Sequence, residues 1–240
     1  MNAATRAASW FAPPRVRGRE HLDDAALDPA IALRSLEDVR RCNRMFGGTA
    51  AVLAAMRPYL AGARSQSRSV TVADIGTGAG DIPAAVRKLG ESLGISVHTI
   101  GLEWTVPIAA ASSPMCGPSV AGDARRLPFA DGSVDIAIAS QLLHHFDDTD
   151  APVVIRELHR IARRCVVIGE LRRSWMAATG VWLASWPLGF HPVSRHDGVV
   201  SVMRGFAGHE LYALIERAIG VKPAVQRHAA FRVTAAWRVP

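Results

Sequence analysis

The run Val70-Thr-Val-Ala-Asp-Ile-Gly-Thr-Gly-Ala-Gly-Asp81 constrains the fold more than any other segment of this 240-residue chain. A β-branched stretch, Val70 to Ile75, leads into three alternate glycines, Gly76, Gly78 and Gly80. Ile82, Ala85, Val86, Leu89 and Leu93 then recur at helical spacing, and Gly94 closes the run. A strand that enters a helix through such a turn opens a parallel α/β unit. Glycine lets the backbone turn sharply and approach a ligand, and the helix start offers unpaired N–H groups. A dinucleotide fingerprint needs glycine where Asp81 stands, and an acid there opposes a pyrophosphate. A phosphate-cradling P-loop needs Gly-Lys-Ser or Gly-Lys-Thr, which the chain lacks. Asp81 reads instead as the cap of the following helix.

Alternation of strands and helices continues downstream. Strands are expected at Ser96 to Leu102, Pro118 to Ala121, Ser133 to Ser140 and Cys165 to Gly169. A helix starting at Asp150 carries Val154, Ile155, Leu158 and Ile161 on one face. A last helix, Glu210 to Ile219, precedes strand-like runs around Val225 and from Phe231 to Trp237. This order predicts a mostly parallel sheet with helices on both faces. Upstream, Asp28-Pro29 reads as a helix start, with Asp28 as cap. A second helix follows Gly47-Gly48, and residues 62–69 form a polar connector. The chain therefore divides into an N-terminal helical segment, residues 1–66, and a main domain, residues 67–240.

Asp74-x-Gly-x-Gly-x-Gly80 resembles the first motif of the class I S-adenosylmethionine-dependent methyltransferases. The resemblance extends to Gly101-Leu-Glu103 at a strand end, to Gly122-Asp123-Ala124 before Leu127-Pro-Phe129, and to Asp131-Gly-Ser-Val-Asp-Ile-Ala-Ile-Ala-Ser140. It covers residues 70–171 and is similar to the methyltransferase type 11 group. Two further segments, Cys42 to Gly48 and Ser194 to Gly198, resemble bacterial members found beside type III polyketide synthases. The resemblance implies a Rossmann-like seven-stranded sheet with an antiparallel C-terminal strand, and an N-terminal helical lid. It implies S-adenosylmethionine as cofactor and S-adenosylhomocysteine as its product. Carried over residue by residue, it places Asp74, Gly76, Gly78, Gly80, Glu103, Asp123 and Ala124 at the cofactor. Ser140 and Gln141 lie where strand ends meet ligands, and Asn43 and Arg44 would cover the cofactor from the lid. Asp74 also reads as a structural group bonding loop amides.

The acceptor is constrained by elimination. The exit of the fourth strand reads Ser-Gln-Leu-Leu, not the (Asn/Asp)-Pro-Pro-(Tyr/Phe) of enzymes that methylate exocyclic amines, and no Pro-Cys dipeptide exists for a cytosine-C5 mechanism. The formal net charge is +7, and 26 of the 28 basic residues are arginine, so a polyanion has to be weighed. No separate RNA-binding module is evident, which makes nucleic acid an unlikely partner. A small hydrophobic molecule fits better. Trp175, Trp182 and Trp186 would share one face of a helix, packed on the sheet, walling a pocket or lying on a membrane surface. His144, His145 and His196 are the candidate bases for a phenolic hydroxyl. No Cys/His spacing supports a metal. Cys42, Cys116 and Cys165 form no CxxC pair, and the N-terminus lacks a signal-peptide core, so a cytoplasmic location is expected. The longest apolar run, Trp175 to Phe190, has 16 residues and is broken by Pro187, too short to span a bilayer. The expected reaction is methyl transfer to a hydroxyl of a polyketide or quinone-like compound. Methylation at carbon, RNA methylation and cofactor binding without catalysis are the alternatives.

Overall fold

The structure, a computed structural model, describes residues 13–16, 18–63 and 69–240. The expected division between residues 66 and 67 falls outside the described residues. Seven strands form one sheet: β1 Ser69–Ile75, β2 Ser96–Glu103, β3 Ser119–Ala121, β4 Val134–Ser140, β5 Ala162–Leu171, β6 Ala224–His228 and β7 Arg232–Arg238. Their order is β3-β2-β1-β4-β5-β7-β6. β1 to β5 pair in parallel. β7 runs antiparallel to both β5 and β6, and it is the expected antiparallel C-terminal strand.

Among the described residues there are eight α-helices, in chain order α1 Pro29–Met45, α2 Gly48–Ala63, α3 Asp81–Ser92, α4 Val106–Cys116, α5 Asp150–Ile161, α6 Trp175–Ser185, α7 Pro192–Arg204 and α8 Gly208–Ile219. Asp28 caps α1 through a 2.7 Å bond from Ala30 N. Side chains alternate across the sheet, so each strand feeds two cores. Val72, Ile136, Ile138 and Val167 face α2 and α3, meeting Val52, Met56, Leu60, Ile82 and Val86. Ala73, Ile75, Ala137, Ala139 and Ile168 face α5 and α8, meeting Val154, Ile155, Leu158, Leu211 and Ile215. No helix among the described residues is long and apolar enough to cross a membrane.

The glycine turn joins β1 to α3. Gly76, Gly78 and Gly80 all adopt positive φ, at 73°, 55° and 76°. Gly80, not Asp81, precedes the first residue of α3, so the acid sits inside the first turn and not at the cap. A Cβ on Gly80 would lie 2.9 Å from Cys116 N and 3.0 Å from Ser112 O, both in α4. Gly80 therefore seats α3 against α4. Cys116 ends that helix and is buried.

Asp74 ends up beneath the loop. It is buried, and its Oδ1 has no hydrogen-bond partner. Burial pushes its carboxyl up to about 8, helped by the nearby charges of Asp81 and Glu103 and opposed by a bond from Thr77. The folded state thus keeps a proton that the unfolded chain releases near pH 4, so stability declines as pH rises from about 4 to about 8. In Asp74→Asn this decline should be missing, and thermal melts at the two ends of that window measure it. An unchanged pH slope would show that Asp74 is ionised in the fold. Gly80→Ala should lose at least about 2 kcal/mol in denaturant unfolding, because it combines a positive φ with a clash against helix backbone.

Candidate active site

Strand ends converge on one cavity of about 550 Å³. Its floor is the loop Gly76 to Ala79, and its walls are Glu103, Trp104, the stretch Gly122 to Arg125, and Ser140 to Phe146. Its roof is the N-terminal segment: Arg19, Glu20, Leu22 and Asp23, then Leu36, Val39 and Asn43 from α1. The structure therefore brings together Gly76, Gly78, Glu103, Asp123, Ala124, Ser140, Gln141, His144 and His145. It does not bring Asp74, Gly80, Arg44 or His196 to the cavity wall.

Each displacement has a local cause. Asp74 points under the loop, and Gly80 is spent on the contact with α4. Arg44 is one residue beyond Asn43 on α1, a rotation of about 100° that turns it to solvent. Asn43 takes the inward position. Its Nδ2 donates to Asp81 Oδ2 at 3.3 Å, and its Oδ1 accepts from Gln141 Nε2 at 2.5 Å. One residue of α1 thus ties the α3 start to the β4 exit. His196 is half exposed, with Nδ1 2.8 Å from Asp197 Oδ1. Asp197 accepts from His21 N and Leu22 N at 2.9 and 3.0 Å, so this pair anchors the outside of the roof turn His21–Asp23.

The two strand-end acids are already engaged. Glu103 accepts from Gly78 N at 2.5 Å and from Trp104 N at 3.1 Å, and burial pushes its carboxyl up. Asp123 accepts a backbone bond from Arg125 at 2.8 Å and a fork from its guanidinium, which holds the carboxyl below its usual range. Arg125 continues to Asp150 at 2.9 Å.

The histidine side is a buried polar cluster. His144 Nδ1 lies 2.8 Å from Glu170 Oε2, and Glu170 also accepts from Leu143 N at 2.7 Å. His144 Nε2 has no hydrogen-bond partner and lies 3.6 Å from Glu20 Oε1. His145 Nδ1 lies 2.5 Å from Asp23 Oδ1. Arg204 reaches Asp23 Oδ2 at 2.7 Å and Glu20 Oε1 at 3.2 Å, and donates through Nε to His144 O. Glu20, His144 and His145 bring ligand atoms within 4.8 Å of one another, and Arg204 supplies positive charge there. Burial disfavours the His145 imidazolium, but Asp23 and Glu20 outweigh it and raise its pKa. Glu20, Asp23, Glu170 and Arg204 escape sequence reading. Only Glu170 carries a signal: like Glu103, it is an acid near the end of a buried apolar strand.

The cavity wall holds seven carboxylates, Glu20, Asp23, Asp81, Glu103, Asp123, Asp147 and Asp150, against the guanidinium groups of Arg19 and Arg125. An acid-lined cavity in a chain of net charge +7 suits a cationic ligand and opposes a phosphate. S-adenosylmethionine carries an ammonium and a sulfonium, and a glycine loop without a Cβ at Gly76 or Gly78 leaves room at its floor. The residues present fit that cofactor.

A family described as Methyltransferase domain matches residues 73–166. Over 119 residues the chain is 37% identical to the Demethylmenaquinone methyltransferase of Roseiflexus sp. (strain RS-1), covering 45% of this chain and 47% of that protein. The chain thus spans about half the length of the curated relative it matches. A SAM-dependent methyltransferase from Aquifex aeolicus superposes with TM-score 0.57 at 13% identity, over 89% of this chain and 100% of the other. Human N-acetylserotonin methyltransferase in complex with SAM gives 0.61 at 11% identity, over 88% of this chain and 56% of the other. Those two likenesses show the fold. Residues 73–166 thus carry a match to a methyltransferase domain, set in the seven-stranded fold that the two solved methyltransferases share.

Proposed function

We propose that this chain transfers a methyl group from S-adenosylmethionine to a hydroxyl, phenolic in character, of a small hydrophobic natural product such as a polyketide or quinone-like compound. The observation that carries the reading is that one cavity is lined both by the glycine loop with the strand-end acids Glu103 and Asp123 and by His144 and His145. The cofactor supplies an electrophilic methyl on a cationic sulfur. Glu103 takes the ribose hydroxyls, and Asp123 with the Ala124 N–H takes the adenine, as the family resemblance implies. Ser140 and Gln141 line the same cavity. The N-terminal segment, residues 1–66, acts as a lid on the domain 67–240, excluding water from the reacting groups.

His145 is the base. Asp23 holds Nδ1, which leaves Nε2 to take the acceptor's proton, and His144 lines the cavity beside it. The volume lies within the roughly 300–1,000 Å³ of small-molecule sites. The acid lining opposes a polynucleotide. The partial match to a demethylmenaquinone methyltransferase supports a quinone-like acceptor. A cytoplasmic enzyme of secondary metabolism is the corresponding cellular reading.

Isothermal titration should show binding of S-adenosylmethionine and S-adenosylhomocysteine. Glu103→Ala and Asp123→Ala should each weaken both by about tenfold or more, the effect of losing a hydrogen bond to a charged group. Absence of binding by the native chain would sink the proposal. With a phenolic or hydroquinone acceptor, His145→Ala should lower kcat about a hundredfold while cofactor affinity changes little. A base must be neutral to accept a proton. Because Asp23 raises the His145 pKa, kcat/KM should climb with pH through an inflection above about 6.5. Asp23→Asn should move that inflection to lower pH. An inflection that stays in place would exclude His145 as the titrating base. Product analysis then separates methylation at oxygen from methylation at carbon.

A further inference from the structure

The helix α6 is built inside out. Its small residues Ala178 and Ser185 are buried, and Ala178 packs with Val202 and Met203 of α7. Its large residues point outward: Trp175, Met176, Trp182 and Leu183, joined by Trp186 just beyond the helix, are 47–69% exposed. An ordinary surface helix shows the opposite arrangement. The sequence readings that packed these tryptophans on the sheet or into a pocket wall do not hold, because none lines the cavity and all three face solvent. A contiguous exposed apolar patch of this kind marks an interaction surface.

The charges around the patch identify its partner. Residues 174–190 contain no charged side chain. Between Glu170 and Asp197 there is no acid; of the arginines in that stretch Arg173 is buried against Glu210, which leaves Arg195 beside the patch. The Arg195 guanidinium lies 4.1 Å from the Trp186 ring centroid, and Arg34 of α1 donates to Gly189 O at 3.2 Å. Tryptophan rings beside arginines match the boundary between acyl chains and anionic headgroups. A second copy docked across a two-fold axis would bring the same arginines face to face.

We infer that the outer face of α6, Trp175, Trp182 and Trp186 with Arg34 and Arg195 at its margin, docks the protein reversibly on an anionic membrane surface. The helix leaves the C-terminal end of β5, the sheet edge at which the β1, β2 and β4 exits form the cavity. Arg34 links it to α1, which supplies part of the cavity roof. Docking therefore sets the mouth of the cavity close to a bilayer. That this delivers a bilayer-dissolved acceptor rests on the function proposed above; the docking itself does not.

The test is co-sedimentation with vesicles of equal parts phosphatidylcholine and phosphatidylglycerol, against pure phosphatidylcholine, with tryptophan fluorescence as a second readout. The native chain should bind the anionic vesicles with a blue-shifted emission, and added salt should weaken the binding. The triple variant Trp175→Gln, Trp182→Gln, Trp186→Gln should bind at least about tenfold more weakly, with unchanged affinity for S-adenosylhomocysteine, since none of the three touches the cavity. A native chain that stays in the supernatant overturns the inference, as does equal binding to both vesicle types or full binding by the variant. A native dimer that becomes monomeric in the variant, with no vesicle binding by either, assigns the face to a second copy. Vesicle binding without turnover of any hydrophobic phenol would leave the surface standing and remove the acceptor reading.

Discussion

A buried carboxylate needs a partner, and two of them, Glu20 and Glu170, organise this molecule. Each is almost fully enclosed. Leaving either ionised and alone would cost several kcal/mol. Their partners come from segments far apart in the chain: Arg204 from the end of α7, His144 from the β4 exit, with Asp23 and His145 closing the set. The roof segment cannot pack without placing Glu20 on Arg204, and the histidines cannot hold their orientation without Glu170 and Asp23. Covering the cavity and aligning the candidate base are consequently one packing event. The same logic explains why Asp197 and Asn43 sit where they do. Each satisfies backbone or amide groups that closure of the roof would otherwise bury unpaired.

The charge of the chain is sorted by position. Arginines largely meet acids on the scaffold: Arg163 and Arg164 converge on Asp135, Arg160 on Glu157 and Asp131, and Arg173 on Glu210. The cavity keeps the opposite sign. A net charge of +7 read as a whole suggests a polyanion, but the cavity wall carries the reverse preference. The basic surplus that borders α6 is where an anionic surface is met, away from the reacting groups.

Much of the fold was legible in the sequence because its signals are local and periodic. The β-branched run before the glycines, the alternation across β4 and the Asp28-Pro29 start each declare themselves within a few residues. α4 did not, because Pro114 falls inside it and its apolar residues form no stripe. α7 was hidden by its cap: His191 Nδ1 accepts from Val193 N, and a histidine is not a customary start signal. The cofactor side of the site was visible as a strand-turn-helix motif. The acid side of the histidine cluster was not, since Glu20 and Asp23 lie in an irregular leader with no periodicity to place them. Arg44 and His196 show how fine the limit is. Each neighbours a residue that faces inward, and a rotation of one position on a helix decides which is used.

Around the glycine loop the structure holds three acids close together, Asp74 beneath it and Asp81 and Glu103 on the cavity side, all raised by burial. Like charges at short range are unfavourable in a low-dielectric setting, and protonation of Asp74 removes one of them. Glu103 stays available at the cavity because its ionised form is held by the amides of Gly78 and Trp104. The loop backbone, made flexible enough by glycine to aim Gly78 N at that carboxylate, thus fixes the acid as well as the floor. A cation entering the cavity would favour the ionised forms of Glu103 and Asp81 and so draw the loop, the strand end and the Asn43 bridge together. Acid lining and glycine geometry are then two expressions of one electrostatic preference, for a positive ligand over a negative one.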